Sequence, residues 1–201
     1  MRFQFEDRGI LIENNRQPLI EVDPMFPQRW SPRAFSPEPI PEEALQILFE
    51  AARWAPSCYN EQPWLFLYAS KEKEKAQFLK ILVDQNQTWA KNAPVLAFLF
   101  ARRNFSRNNK ANPWAAFDCG AAWMSLALQA RTMGLYAHGM AGYHHDMAYD
   151  LLNMSKEEYE VICAIAIGSY GDIKDIPSSV AAMEKPNDRK PLEEVARRWK
   201  P

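Results

Sequence analysis

Residues 94–101 read Pro-Val-Leu-Ala-Phe-Leu-Phe-Ala, one proline and then an unbroken apolar run. A run this short with no polar position suits a strand buried on both faces. It predicts a central strand, and the segments around it show what packs there. Downstream, Trp114–Met133 is rich in Ala, Leu and Met with apolar residues all round, the pattern of a helix in a core or against another chain. Upstream, Ala44, Leu45, Ile47, Leu48, Ala51, Ala52 and Trp54 recur at helical spacing. Pro41 suits the first helical position, Glu42 and Glu43 suit a helix N-terminus, and Pro56 ends the helix.

Further out, Leu65–Ala69 reads as a strand, Lys71–Val83 as a charged amphipathic helix and Val161–Ile167 as another central strand. Gly134 closes the long helix before a short segment through Tyr136–Met140, and helical stretches are expected near Met147–Leu152 and after Pro191. Arg102–Pro113 is polar, basic and rich in Asn, so a loop is expected. Residues 18–41 hold Pro18, Pro24, Pro27, Pro32, Pro37, Pro39 and Pro41 and are expected to run extended, with no helix. There is no internal repeat. Helices and strands alternate with irregular crossovers, which makes the fold class α+β.

A chain of 201 residues suits one domain, and 47% apolar with 24% charged residues is globular in proportion. A formal charge of −1 gives no global attraction to nucleic acid or an anionic membrane, so any anion site must be a local basic cluster. No stretch nears the roughly 18 consecutive apolar residues of a bilayer span, and the N-terminus lacks the apolar core of a signal peptide. Cys58, Cys119 and Cys163 are odd in number and far apart, which points to a reducing compartment and a cytoplasmic protein.

Four segments could carry chemistry. In Arg29-Trp30-Ser31-Pro32-Arg33, alternate residues of an extended chain share a side, so Arg29, Ser31 and Arg33 converge on one face suited to a phosphate monoester. A solvated basic edge is the bland alternative. The segment from Ala55 to Trp64 holds Pro56, Ser57, Asn60 and Gln62 between two prolines. Its amides match the alternating donors and acceptors of a flavin pyrimidine ring, or else satisfy their own turn. Arg189-Lys190-Pro191-Leu192 places basic residues before a helix start, which is otherwise a solvated tail. At Gly139-Met140-Ala141-Gly142-Tyr143, Gly142 allows backbone N–H groups to approach a ligand, or simply makes a turn. No GxGxxG or P-loop motif occurs, and adjacent His144 and His145 lack helical zinc spacing, so no metal site is expected. Cys58 with His138 could form a nucleophile–base pair, but no known motif surrounds either.

In order along the chain, Arg29-x-Ser31-x-Arg33-x-Phe35, Ile40-Pro41, Ala55-Pro56-Ser57 with Asn60-x-Gln62-Pro63-Trp64, the helix through Asp118–Ala122, Gly134-Leu135, Ala166-Ile167-Gly168 and Arg189-x-Pro191-Leu192 resemble the nitroreductase family. The resemblance covers roughly residues 28–197. It implies a three-layer α-β-α fold with a central, mostly antiparallel sheet and an obligate homodimer. It divides the chain into an N-terminal arm, 1–27, and an FMN-binding domain, 28–201. FMN would be held by Arg29, Ser31, Arg33 and Arg189 at its phosphate and ribityl chain. Pro56, Ser57, Asn60 and, less directly, Gln62 of the other subunit would line the ring, with the Met140-Ala141-Gly142 turn near N5.

The implied reaction carries hydride from NADH or NADPH through FMN to a small acceptor such as a nitroaromatic or quinone, in ping-pong order, with no catalytic side chain. The same resemblance admits a non-catalytic flavin-binding or sensing protein, reductive dehalogenation or flavin fragmentation. Asn187 stands where many relatives carry Lys, and Ala141 where some carry an acid. Arg102, Arg103, Arg107 and Lys110 form a basic loop that could receive the 2′-phosphate of NADPH, or only solvate the surface.

Overall fold

The computed structural model describes residues 4–6 and 14–200; residues 1–3 and 7–13 of the expected N-terminal arm, and residue 201, lie outside the described residues. Four strands form one sheet: β1 (Trp64–Ala69), β2 (Val95–Arg102), β3 (Tyr136–Met140) and β4 (Tyr159–Gly168). Their order is β1-β2-β4-β3, and every pairing is antiparallel. β2 is the expected central strand, buried along its length up to Arg102.

Alternation along β2 makes two cores. Leu96, Phe98 and Phe100 enter one, while Val95, Ala97, Leu99 and Ala101 enter the other. β4 keeps this pattern only through a register shift between its Leu99 and Phe100 pairings, which sets Ile162 and Cys163 on the same side. α2 (Glu42–Arg53) and α5 (Ala115–Thr132) pack on each other and cover the second face. α3 (Glu72–Ile81), α4 (Asp84–Ala90) and α6 (His145–Leu152) cover the first. The result is the expected α+β architecture in three α-β-α layers.

Two expectations need correction. The proline-rich stretch is not free of helix, because α1 (Met25–Gln28) makes one turn within it. Pro24 caps that turn and Pro27 falls inside its first turn, where backbone N–H groups have no intrahelical partner to lose. The helix expected over Lys71–Val83 stops at Ile81, and Val83 instead caps the separate helix α4. Two short helices, α7 (Ser178–Ala181) and α8 (Leu192–Val195), finish the chain. Among the described residues no helix is long and apolar enough to cross a membrane.

Candidate functional site

α4 and β3 meet at the edge of the sheet and leave a cavity of about 340 Å³. That lies within the usual size of small-molecule sites, roughly 300–1,000 Å³. Arg33, Asn86, His138, Met140, Ala141 and Gly142 are among its lining residues. Four residues expected from separate sequence motifs are thus brought together: Arg33 with Met140, Ala141 and Gly142.

The turn after β3 is fixed from behind. The Gly142 carbonyl accepts from Val83 N–H at 3.1 Å and from Asn86 Nδ2 at 3.0 Å. A Cβ on residue 142 would lie 2.6 Å from that Nδ2 and 2.9 Å from Val83 Cγ2, so any larger residue would push the Asn86 and Val83 side chains aside. Among the described residues, nothing in the chain accepts from the N–H of Ala141 or Gly142. Two backbone donors therefore remain for a ligand at a cavity that α4 walls.

Arg33 is fixed through its backbone. Glu184, only 6% exposed, accepts from Arg33 N–H at 2.8 Å and from Ala34 N–H at 2.8 Å. Burial pushes the Glu184 carboxyl upward, against the pull of those two donors and of the Arg33 charge. On the other side of this segment, His138 Nδ1 lies 2.7 Å from the Pro32 carbonyl. Since a carbonyl only accepts, Nδ1 carries the proton and Nε2 keeps its lone pair. The imidazole packs 4.7 Å from the Trp89 ring. Burial, with a smaller contribution from Arg33, pushes His138 down to about 4.

That shift carries a pH dependence. The unfolded chain takes up a proton at His138 near its ordinary value of 6.5, the folded chain only near 4. Stability from this group is whole above about pH 6.5 and is lost as pH falls toward 4, by about 3 kcal/mol. Thermal melts across that window should therefore fall more steeply for the wild type than for His138→Gln. Parallel profiles would show that His138 contributes nothing to the acid response.

Arg29 and Arg189 lie together, each charge acting on the other, and Arg29 is pushed downward by burial first and by Arg189 second. Neither forms an ion pair with a carboxylate among the described residues. Ser31 is half-buried between Trp30 and Pro32, both of which are buried.

Pro56, Ser57, Asn60 and Gln62 do not join the cavity within one chain. They lie between α2 and β1 in a turn where Tyr59, Asn60 and Gln62 all have positive φ, of 54°, 59° and 51°. Such conformations cost on the order of 1 kcal/mol or more each in non-glycine residues. The turn is over-determined by its neighbours. Asp118, 2% exposed in the first turn of α5, accepts from Cys58 N–H at 3.1 Å. Ser57 Oγ accepts from Gln62 N–H, and Gln62 Nε2 donates to the Asn60 carbonyl, so part of the expected ligand-facing polarity is used inside the turn.

The basic loop is also engaged internally. Arg103 Nε lies 2.9 Å from the Lys156 carbonyl, and its Nη1 pairs with Glu160 at 3.3 Å. Arg102 reaches the Tyr159 hydroxyl, and Arg107 stacks 4.0 Å from the Tyr59 ring. Three of its four cations thus brace neighbouring segments. Cys58 and His138 share no contact that would make a nucleophile–base pair, since one is held by Asp118 and the other by Pro32.

Sequence reasoning missed Glu184, Asn86 and Trp89. A lone acid in a polar tail and a helix without apolar period gave it no signal.

A sequence model of the nitroreductase family matches residues 27–88 and 82–169. A Rhodopseudomonas palustris (strain TIE-1) protein with the provisional name NADH dehydrogenase/NAD(P)H nitroreductase is 25% identical over 142 residues, 62% of this chain and 72% of that one. A crystal structure described as an oxidoreductase containing FMN superposes with a TM-score of 0.87 at 41% identity, covering 94% of this chain and 96% of that chain. An FMN-dependent nitroreductase from Clostridium difficile R20291 shares the fold at a TM-score of 0.62 and 21% identity, over 72% of this chain and 84% of that one.

Proposed function

The chain belongs to the nitroreductase family, and on that premise we propose that it is an FMN-dependent oxidoreductase that passes hydride from NADH or NADPH to a small acceptor such as a nitroaromatic or quinone. The observation that carries this reading is the cavity lined by Arg33 and by Ala141 and Gly142, whose N–H groups have no acceptor among the described residues.

The residues present fit FMN. Arg29 and Arg189 lack carboxylate partners among the described residues, as guanidinium groups awaiting a phosphate would. A side chain at position 142 would displace Val83 and Asn86 from the cavity wall, so glycine keeps this turn compact. Bound FMN would supply the hydride-transfer chemistry, and the residues of this chain would hold and orient it. Arg29, Ser31, Arg33 and Arg189 hold its phosphate and ribityl chain. The Ala141 and Gly142 donors, with Met140 beside them, stabilise negative charge at the ring edge, an electrostatic role that needs no side-chain acid or base. His138 stays neutral at physiological pH and offers only an acceptor at Nε2, so Arg33 keeps the positive charge of this wall to itself.

The working unit is a homodimer of the domain 28–201, with residues 1–27 as an arm, in the cytoplasm. Pro56, Ser57, Asn60 and Gln62 of the partner subunit complete the ring site. Support comes from Trp54, Trp114, Phe117 and Met124, large apolar side chains exposed at the α2–α5 layer. Three free thiols accord with a reducing compartment.

Arg29→Ala and Arg33→Ala should each weaken FMN binding by roughly 1.5–3 kcal/mol, the scale of a hydrogen bond to a charged group. Fluorescence titration of flavin-stripped protein measures this. Wild-type affinity in both variants would contradict the phosphate placement.

A further inference from the structure

Arg16 lies outside the stretch matched to the family, which begins at residue 27. Its guanidinium carries five N–H donors in a planar fork. Nε donates to the Asn187 carbonyl at 2.6 Å, and Nη1 donates to the carbonyls of Pro27 at 3.1 Å and Arg29 at 2.8 Å. Those three bonds use every hydrogen on Nε and Nη1. Both donors of Nη2 remain without an acceptor in the chain among the described residues.

The same Asn187 carbonyl accepts from Arg189 Nη1 at 3.2 Å. One oxygen thus holds two guanidinium groups side by side, while Arg16 binds the backbone of Arg29. Like charges do not gather this way without something to offset them. Arg16, Arg29 and Arg189 form no ion pair with a carboxylate among the described residues. Among the described residues, Asp188 is the acid whose charge raises Arg16, and it is outweighed: burial, then Arg189 and Arg29, push that guanidinium down to about 10. The cluster has a surplus of positive charge and an unused pair of donors, which a phosphate dianion would match.

We propose that Arg16, carried by the N-terminal arm, is a further phosphate-binding arginine that acts with Arg29 and Arg189 on the phosphate of FMN. This rests on the FMN reading above. It also gives the arm a role: Arg16 joins two segments, 27–29 and 187–189, that carry Arg29 and Arg189. Asn187 serves through its backbone carbonyl, so a lysine there is not needed for the phosphate end to gather charge.

Riboflavin, which lacks the phosphate, provides the test. Full-length protein stripped of flavin is titrated with FMN and with riboflavin, as wild type, Arg16→Ala, Arg16→Lys and Arg29→Ala. Arg16→Ala should lower FMN affinity about tenfold or more while riboflavin affinity changes less than about twofold, and Arg16→Lys should keep part of the FMN preference because the charge remains. Equal loss of both ligands in Arg16→Ala would make Arg16 a structural brace only, and no change in either would remove it from the site; each result overturns the proposal. If Arg29→Ala keeps its full FMN preference, the phosphate placement itself fails and Arg16 falls with it. If only Arg29→Ala loses the preference, the placement stands and the Arg16 proposal alone is wrong.

Discussion

Replacing Glu184 by alanine is expected to destabilise the protein by about 2–5 kcal/mol, since the N–H groups of Arg33 and Ala34 would be left without their acceptor. In a chain of this size that corresponds to a fall in Tm of roughly 5–15 °C. Flavin affinity should fall as well, because the backbone that aims Arg33 into the cavity loses its anchor. Glu184→Gln separates the two roles of the carboxylate. Its amide oxygen still accepts, and it removes the cost of a buried charge, so it should retain most of the stability and the flavin. Glu184→Ala melting within about 1 kcal/mol of wild type would show that water replaces the carboxylate and that Arg33 needs no such anchor.

Phe117→Asp should separate the subunits and release the flavin together. Phe117 is 77% exposed on α5, so within one chain the substitution removes no core contact. At an interface it buries a carboxylate without a partner, which costs several kcal/mol. Light scattering should then report a monomer with an unchanged far-ultraviolet circular dichroism spectrum. FMN affinity should drop a hundredfold or more, because in the proposed dimer Pro56, Ser57 and Asn60 of the partner subunit would no longer close the ring site. A monomer that retains flavin would place those three residues outside the site. A dimer of unchanged affinity would place α5 outside the interface.

The fold was legible where the chain repeats a pattern. The apolar run ending at Ala101 and the all-round apolar Trp114–Met133 segment each became the element expected, within about a residue. α4 was invisible because Asp84–Ala90 contains only Trp89 and Ala90 as apolar residues, too few to show a period. That gap mattered for the site, since α4 supplies Asn86 and Trp89 to the cavity. α1 was missed because prolines that exclude a helix interior are harmless in a first turn.

The site was legible in part for a similar reason. Arg33 and the Met140–Gly142 turn were found as local motifs, and the fold unites them at one cavity. Groups that act through tertiary contact had no local signature. Glu184 reaches back 151 positions to Arg33, and Arg16 reaches 171 positions forward to Asn187. Nothing in the neighbourhood of either residue announces such a partner. His138 was noticed only as a base for Cys58, whereas its ring supports Pro32 and packs on Trp89.

The central claim, a flavoprotein that turns over with a nicotinamide coenzyme, is tested most directly by the visible spectrum of the purified protein under anaerobic titration with NADH or NADPH. The expected result is a flavin absorption band that bleaches on addition of coenzyme and returns with a quinone or nitroaromatic acceptor. The cofactor released by heat should run as FMN on HPLC. A colourless protein that does not take up added FMN, a band that neither coenzyme bleaches, or release of FAD instead of FMN would each contradict it.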